Sequence, residues 1–146
     1  MERDSMSRYI INNVIAVITH TLLALIIWRL PYVFGQVIPA IVNNEYLIAV
    51  ICTIVYIICG FFLKPVERFS FLSVLFVIIA LIGVGIFLAV NVNGDATFYN
   101  YFYFNPVAMP SLDLPAIFAS VLILLSPAIP SLLMYLGILI RKLIGR

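Results

Sequence analysis

Residues 46–92 read YLIAVICTIVYIICGFFLKPVERFSFLSVLFVIIALIGVGIFLAVNV. Two apolar runs, 46–63 and 71–92, flank a short polar link. Crossing the ~30 Å hydrocarbon layer of a bilayer takes ~20 mostly apolar residues in a helix. Each run meets that length, and all the charge of the stretch (Lys64, Glu67 and Arg68) sits in the link. A link this short joins antiparallel neighbours. Pro65 provides a sharp stop after the first run. The stretch therefore predicts a transmembrane helical hairpin.

Working outward, the same test picks out 9–30 before the hairpin and 115–140 after it. Composition agrees. Of the 146 residues 65% are hydrophobic and 10% charged, against about 45–50% apolar and about 25% charged in soluble domains. A soluble chain of this length has no interior large enough for that much apolar surface. The expected fold class is all-α: an integral membrane four-helix bundle, one transmembrane domain over 1–146. A net charge of +2, with no basic run interleaved with aromatics, sets nucleic acid aside as a partner.

Charge placement orients the bundle. Seven of the eight Lys and Arg residues are Arg3 and Arg8, Lys64 and Arg68, and Arg141, Lys142 and Arg146. Four crossings put these three groups on one side. Positive residues stay cytoplasmic, so both termini and the inner loop 64–70 are expected inside, in a plasma (inner) membrane. The outer loops are then 31–45 and 93–114, neither with any Lys or Arg. The first apolar run is expected to remain as an anchor rather than be cleaved. Acids stand among the basic residues before it, and no small-x-small site comes after it.

The loop 31–45, PYVFGQVIPAIVNNE, is apolar. Pro31 is expected to end the first helix and Pro39 to interrupt the rest of the loop. The second outer loop holds Phe98, Tyr99, Tyr101, Phe102, Tyr103 and Phe104. Rings of this kind favour the headgroup level, so an interfacial anchor is one reading. A surface for a lipid, a glycan or a partner protein is the other. Within the same loop, Asn93-Gly94-Asp95 reads as a turn.

In lipid, helices associate through small residues and interhelical hydrogen bonds. Stripes at helical spacing are expected accordingly: Asn13, Ala16, His20 and Ala24 on the first helix, and Ala49, Cys52, Tyr56, Cys59 and Gly60 on the second. The third carries Ser73, Ala80, Gly83 and Asn91, with Gly85 and Ala89 nearby. The fourth includes Ala116, Ser120 and Pro127. Pro127 and Pro130 each remove a backbone donor, which predicts a kink over 123–130. Either a plain bend or a gating hinge is consistent with it.

His20 is the one ionisable side chain deep in a span, and such a residue is a functional hypothesis by default. Thr53, Tyr56 and Ser126 fall at similar depths, so the four are candidates for one polar layer. The plainer reading is a neutral, hydrogen-bonded core histidine. No second His or carboxylate stands at ligand spacing, so no metal and no cofactor are expected. Cys52 and Cys59 are seven residues apart, about 10 Å along a helix, too far for a disulfide. Arg29 is the lone outer cation. It either snorkels beside Trp28, pairs with Glu45, or holds a phosphate or carboxylate. Glu45 at a helix start also suits the helix dipole.

No paired intramembrane carboxylate, HExxH, Ser–His elbow or Gly-rich phosphate loop is present, so no catalytic residue is assigned. The expected function is non-enzymatic, acting in the lipid bilayer by assembly as a homo-oligomer or within a larger membrane complex. An accessory or immunity-type subunit fits that description. The alternative is a small homo-oligomeric transporter or channel using the layer around His20.

Overall fold

In the computed structural model, the residues described are 2–34, 44–66, 70–91, 97–108, 115, 118, 121 and 124–145. Every element among them is helical. Four stretches are long and apolar enough to span a membrane: Ser5–Val33, Glu45–Phe62, Phe71–Val90 and Ser126–Ile144. Expectations placed on Pro39, Glu67, Arg68, the Asn93-Gly94-Asp95 turn, Ala116 and Ser120 lie outside the described residues.

Helix α1 (Glu2–Phe34) overruns the expected 9–30 at both ends, and Pro31 lies inside it. The expectation that Pro31 ends the helix is thus corrected. A proline this close to a helix end removes a single backbone bond beside carbonyls that lack intrahelical donors anyway. Helix α2 (Glu45–Phe62) starts at Asn44, whose side chain accepts from the Leu47 N–H at 3.0 Å. It ends where Leu63 turns extended, its N–H returned to the Cys59 and Gly60 carbonyls. A 3-10 turn, Ser70–Val74, leads into α3 (Leu75–Val90). No side chain at its own N-terminus caps α3. Asn13 Oδ1 of α1 accepts the Phe76 N–H instead, at 2.8 Å, so one helix satisfies an orphan donor of another.

The aromatic segment, expected within the loop 93–114, is itself a helix, α4 (Thr97–Ala108). It breaks at Asn105, where φ is 44° and ψ 156°. The last helix, α5 (Ile129–Ile144), comes after a 3-10 turn over Ser126–Ala128. Pro127 and Pro130 occupy the first turns of these two elements. Proline is favoured in a first turn, and the carbonyl that Pro130 leaves without its α-helical donor, that of Ser126, accepts the Ile129 N–H instead. The region where a kink is expected, 123–130, contains this 3-10 turn, which joins the helical residues 124–125 to α5.

The principal helix pair is α2 with α5, and it is backbone on backbone. A Cβ on Gly60 would fall on the backbone of Met134, and one on Gly137 on the Ile57 carbonyl and Phe61 nitrogen. Only glycine allows that approach. The stripe on α1 is buried as expected, with Asn12 and Ile27 added. The expected third stripe is buried only in part: Ser73, in the turn before α3, is fully buried, but nothing lies within 4 Å of a Cβ on Gly83. Asn91 is exposed and bonds its own Phe87 carbonyl. That helix itself buries Val77 and Leu81.

Polar bonds gather one end of the bundle. Asn12 donates to the Lys64 carbonyl and Ser73 Oγ, and Asn13 to the Leu72 carbonyl. Arg141 Nη1 is shared among the carbonyls of Phe61, Phe62 and Leu63 at 3.4, 3.2 and 3.0 Å, capping the otherwise orphaned end of α2. Lys142 donates to the Val66 carbonyl. The start of α1, the end of α2, the start of α3 and the end of α5 therefore share an end. It carries Lys64, Arg141 and Lys142. At the opposite end Trp28 meets Phe98 and Phe87 meets Tyr99. The outward faces are aliphatic over their length, as at Ile18, Leu22, Ile54, Ile58, Ile79 and Ile86.

Candidate functional site: a buried polar joint around His20

His20 lies on the stripe of α1, between Ala16 and Ala24, and is 1% exposed. Alanine one turn above and below lets neighbouring helices come close enough to bond the ring. Nδ1 is 2.9 Å from Tyr56 Oη, and Nε2 is 2.9 Å from the Phe102 carbonyl. A carbonyl only accepts, so Nε2 carries the proton. In the neutral ring Nδ1 then accepts from the Tyr56 hydroxyl. Phe102 also sets its ring edge-on to the imidazole, with centroids 4.6 Å apart.

The sequence of α4 explains why that carbonyl is available. In a helix the Phe102 carbonyl would bond the N–H of residue 106, but position 106 is proline and has none. The next carbonyl, Tyr103, would bond the Val107 N–H. That N–H turns instead to Asn105 Oδ1, at 3.1 Å. Tyr103 is left to accept from Ser126 Oγ at 2.7 Å. The exchange is reciprocal. Pro130 removes the α-helical donor of the Ser126 carbonyl, which accepts the Ile129 N–H of the 3-10 turn and, from across the bundle, Asn105 Nδ2 at 3.0 Å. Two proline-disturbed segments thus satisfy one another across the bundle. Buried polar groups in lipid require such pairing, and among the described residues no buried side-chain N or O lacks a partner.

Of the four candidates for a polar layer, His20 and Tyr56 are bonded directly. Ser126 joins them one carbonyl further along α4. Thr53 stands apart, its hydroxyl returned to the Ala49 carbonyl of its own helix at 2.8 Å. Thr19 Oγ1 meets Cys59 Sγ at 3.3 Å. Cys52 and Cys59 are both free thiols. Among the described residues no three His, Cys, Asp or Glu side chains gather as metal ligands would.

The aromatic candidates divide by face. Phe102 is buried, Phe98 and Tyr101 pack on the core, and Tyr103 covers Gly85. Tyr99 is half exposed against Phe87, and Phe104 sets its ring across that of Tyr103. Pro127 and Pro130 are both buried. At the far end the Arg29 guanidinium lies 4.1 Å from the centre of the Trp28 ring and 6.0 Å from that of Tyr32. Glu45 is exposed.

Two members of the polar framework, Asn105 and Asn12, are not among the residues that the sequence alone singles out. A signal exists for the first: Asn-Pro marks a turn, here directly after the aromatic run. What that turn bonds to is not readable from the chain.

Comparison with known protein families, curated proteins and solved structures finds no match to this chain.

Proposed function

We propose that this is a small non-enzymatic, multi-pass membrane protein that works by assembly, with itself or as an accessory or immunity-type subunit of a larger membrane complex. The observation that carries the reading is the closure of the interior. His20 is sealed from solvent, both of its nitrogens are bonded, and the described polar side chains around it are paired with protein groups. Among the described residues this interior shows no unpartnered buried polar side chain and no cluster of metal-ligating side chains that a substrate could use. What remains outward is apolar helix surface, which suits acyl chains and neighbouring helices.

The proposed orientation has both termini and the Lys64-containing loop on the cytoplasmic side of a plasma (inner) membrane. It rests on the basic end formed by Lys64, Arg141 and Lys142 and on the positive-inside rule. Accessibility of a tag at either terminus in intact cells tests it.

The assembly reading is tested by purification from the native host in mild detergent, with mass measurement of the intact particle. A homo-oligomer or a co-purifying membrane protein is expected. A lone monomer with no companion would count against it. A second reading, a small homo-oligomeric transporter or channel, draws on α4, because helices broken at depth also form solute paths. Flux through reconstituted vesicles that is lost on substituting His20 would favour it over assembly.

A further inference from the structure

We propose that α1 carries a binding site for an anionic phospholipid: Arg29, stacked on Trp28, holds the phosphodiester, and the exposed apolar track beneath it takes an acyl chain. Arg8 and Arg29 stand about 32 Å apart along α1, and no Asp, Glu, Lys or Arg lies between them. The hydrocarbon layer of a bilayer is ~30 Å thick. Arg29 therefore sits where headgroups begin, at the end of the bundle opposite Lys64, Arg141 and Lys142. Rings mark the same level, as Trp28 meets Phe98 and Phe87 meets Tyr99, and aromatic belts form at that depth. The helix does not stop at Arg29. Leu30 to Phe34 continue it, with Tyr32 and Val33 exposed. A cation bordered along its helix by apolar residues gains from a counter-ion.

The described residues supply none. At the basic end Arg141 spends Nη1 on three carbonyls. Arg29 instead lies against rings, 4.1 Å from the centre of Trp28 and 6.0 Å from that of Tyr32. Among the described residues no acid pairs with it and no acceptor meets its N–H groups. The donors of a guanidinium lie in its plane, so stacking leaves them free to fork onto two oxygens of a phosphate. The surface beneath Arg29 selects a lipid over free phosphate. Residues three, four and seven positions back share its helix face. They are Ile26, Leu25 and Leu22, all exposed. An acyl chain covers that face, and inorganic phosphate has no use for it. Among phospholipids the best fit is one whose phosphodiester is its only charge, because a choline or ethanolamine headgroup sets a cation of its own beside Arg29.

Trp28 is the single tryptophan and touches Arg29, so its fluorescence reports the site in the full-length protein. The protein is reconstituted in mixed phosphatidylcholine and phosphatidylglycerol bilayers in which one lipid or the other carries brominated chains. Quenching of Trp28 then gives the ratio of the two lipids beside it. Phosphatidylglycerol is expected to be preferred about threefold over its share of the bilayer. Arg29→Gln should abolish the preference, and Arg29→Lys, which keeps the charge without the fork, should retain part of it. Arg8→Gln, at the other end of the span, should leave it unchanged. Quenching in proportion to bilayer composition in the wild type overturns the site. So does a preference that survives Arg29→Gln, or one that falls equally in Arg8→Gln and so reports overall charge. Excess inorganic phosphate should not alter the ratio; if it erases the preference, the lipid assignment fails. The wild-type ratio decides even if a variant does not insert. The site rests on α1 spanning the bilayer, and quenching by neither lipid would remove that reading itself. The readout is independent of whether the chain assembles.

Discussion

The α2–α5 crossing and the seat of α4 are both buried, yet opposite chemistry closes them. At the crossing two glycines bring backbones together, and no side chain of either intervenes. At the seat bulky rings fill the space, and polar side chains reach carbonyls that proline and a helix break have left without donors. The first closure depends on shape and has no intermediate state, because a close-packed contact is lost with small displacements. The second depends on a few directional bonds, which lipid cannot replace. One molecule thus joins a seam closed by shape to a seat closed by directional bonds.

Breaking the seam is expected to have the largest effect. Gly137→Leu places a side chain against the α2 backbone and should cost at least about 3 kcal/mol, read as loss of the folded monomer in a thermal melt in detergent. His20→Leu breaks the bonded seat. It leaves the Phe102 carbonyl and the Tyr56 hydroxyl without their partner, for about 2 kcal/mol, and His20→Gln should recover part of it in the same melt. A third substitution sharpens the contrast by touching neither. Gly83 faces open space on α3, so Gly83→Ala should stabilise by about 0.5–1 kcal/mol through helix propensity alone. If it instead weakens a purified oligomer, that face is where copies meet. Smallest is Thr53→Val, whose hydroxyl bonds only its own helix. A change within about 0.5 kcal/mol is expected, and a larger one would place Thr53 in the joint after all.

How far the site is legible in the chain differs between its members. His20 and Tyr56 can be placed from the stripes because helical periodicity says which residues share a face. Ser126 can be placed in depth but not in partnership. Thr53 misleads because depth along a helix does not say which way a hydroxyl turns, and a threonine in a helix readily bonds its own carbonyl four residues back. The aromatic segment reads as an interfacial loop because rings are at home at the headgroup level as well as inside a bundle, and composition does not distinguish the two.

By itself the sequence determined the four apolar spans, the grouping of basic residues between and beyond them, and the inward face of α1. Each of these comes from local quantities: run length, charge position and a period of 3.6 residues. Only the tertiary structure decided that α4 turns inward, that Pro127 and Pro130 stand at a 3-10 turn, and that Gly60 and Gly137 pack while Gly83 does not. The physical reason is that these depend on pairings between distant segments. A carbonyl freed by Pro106 is visible in the sequence as a need, but only the fold supplies His20 to meet it.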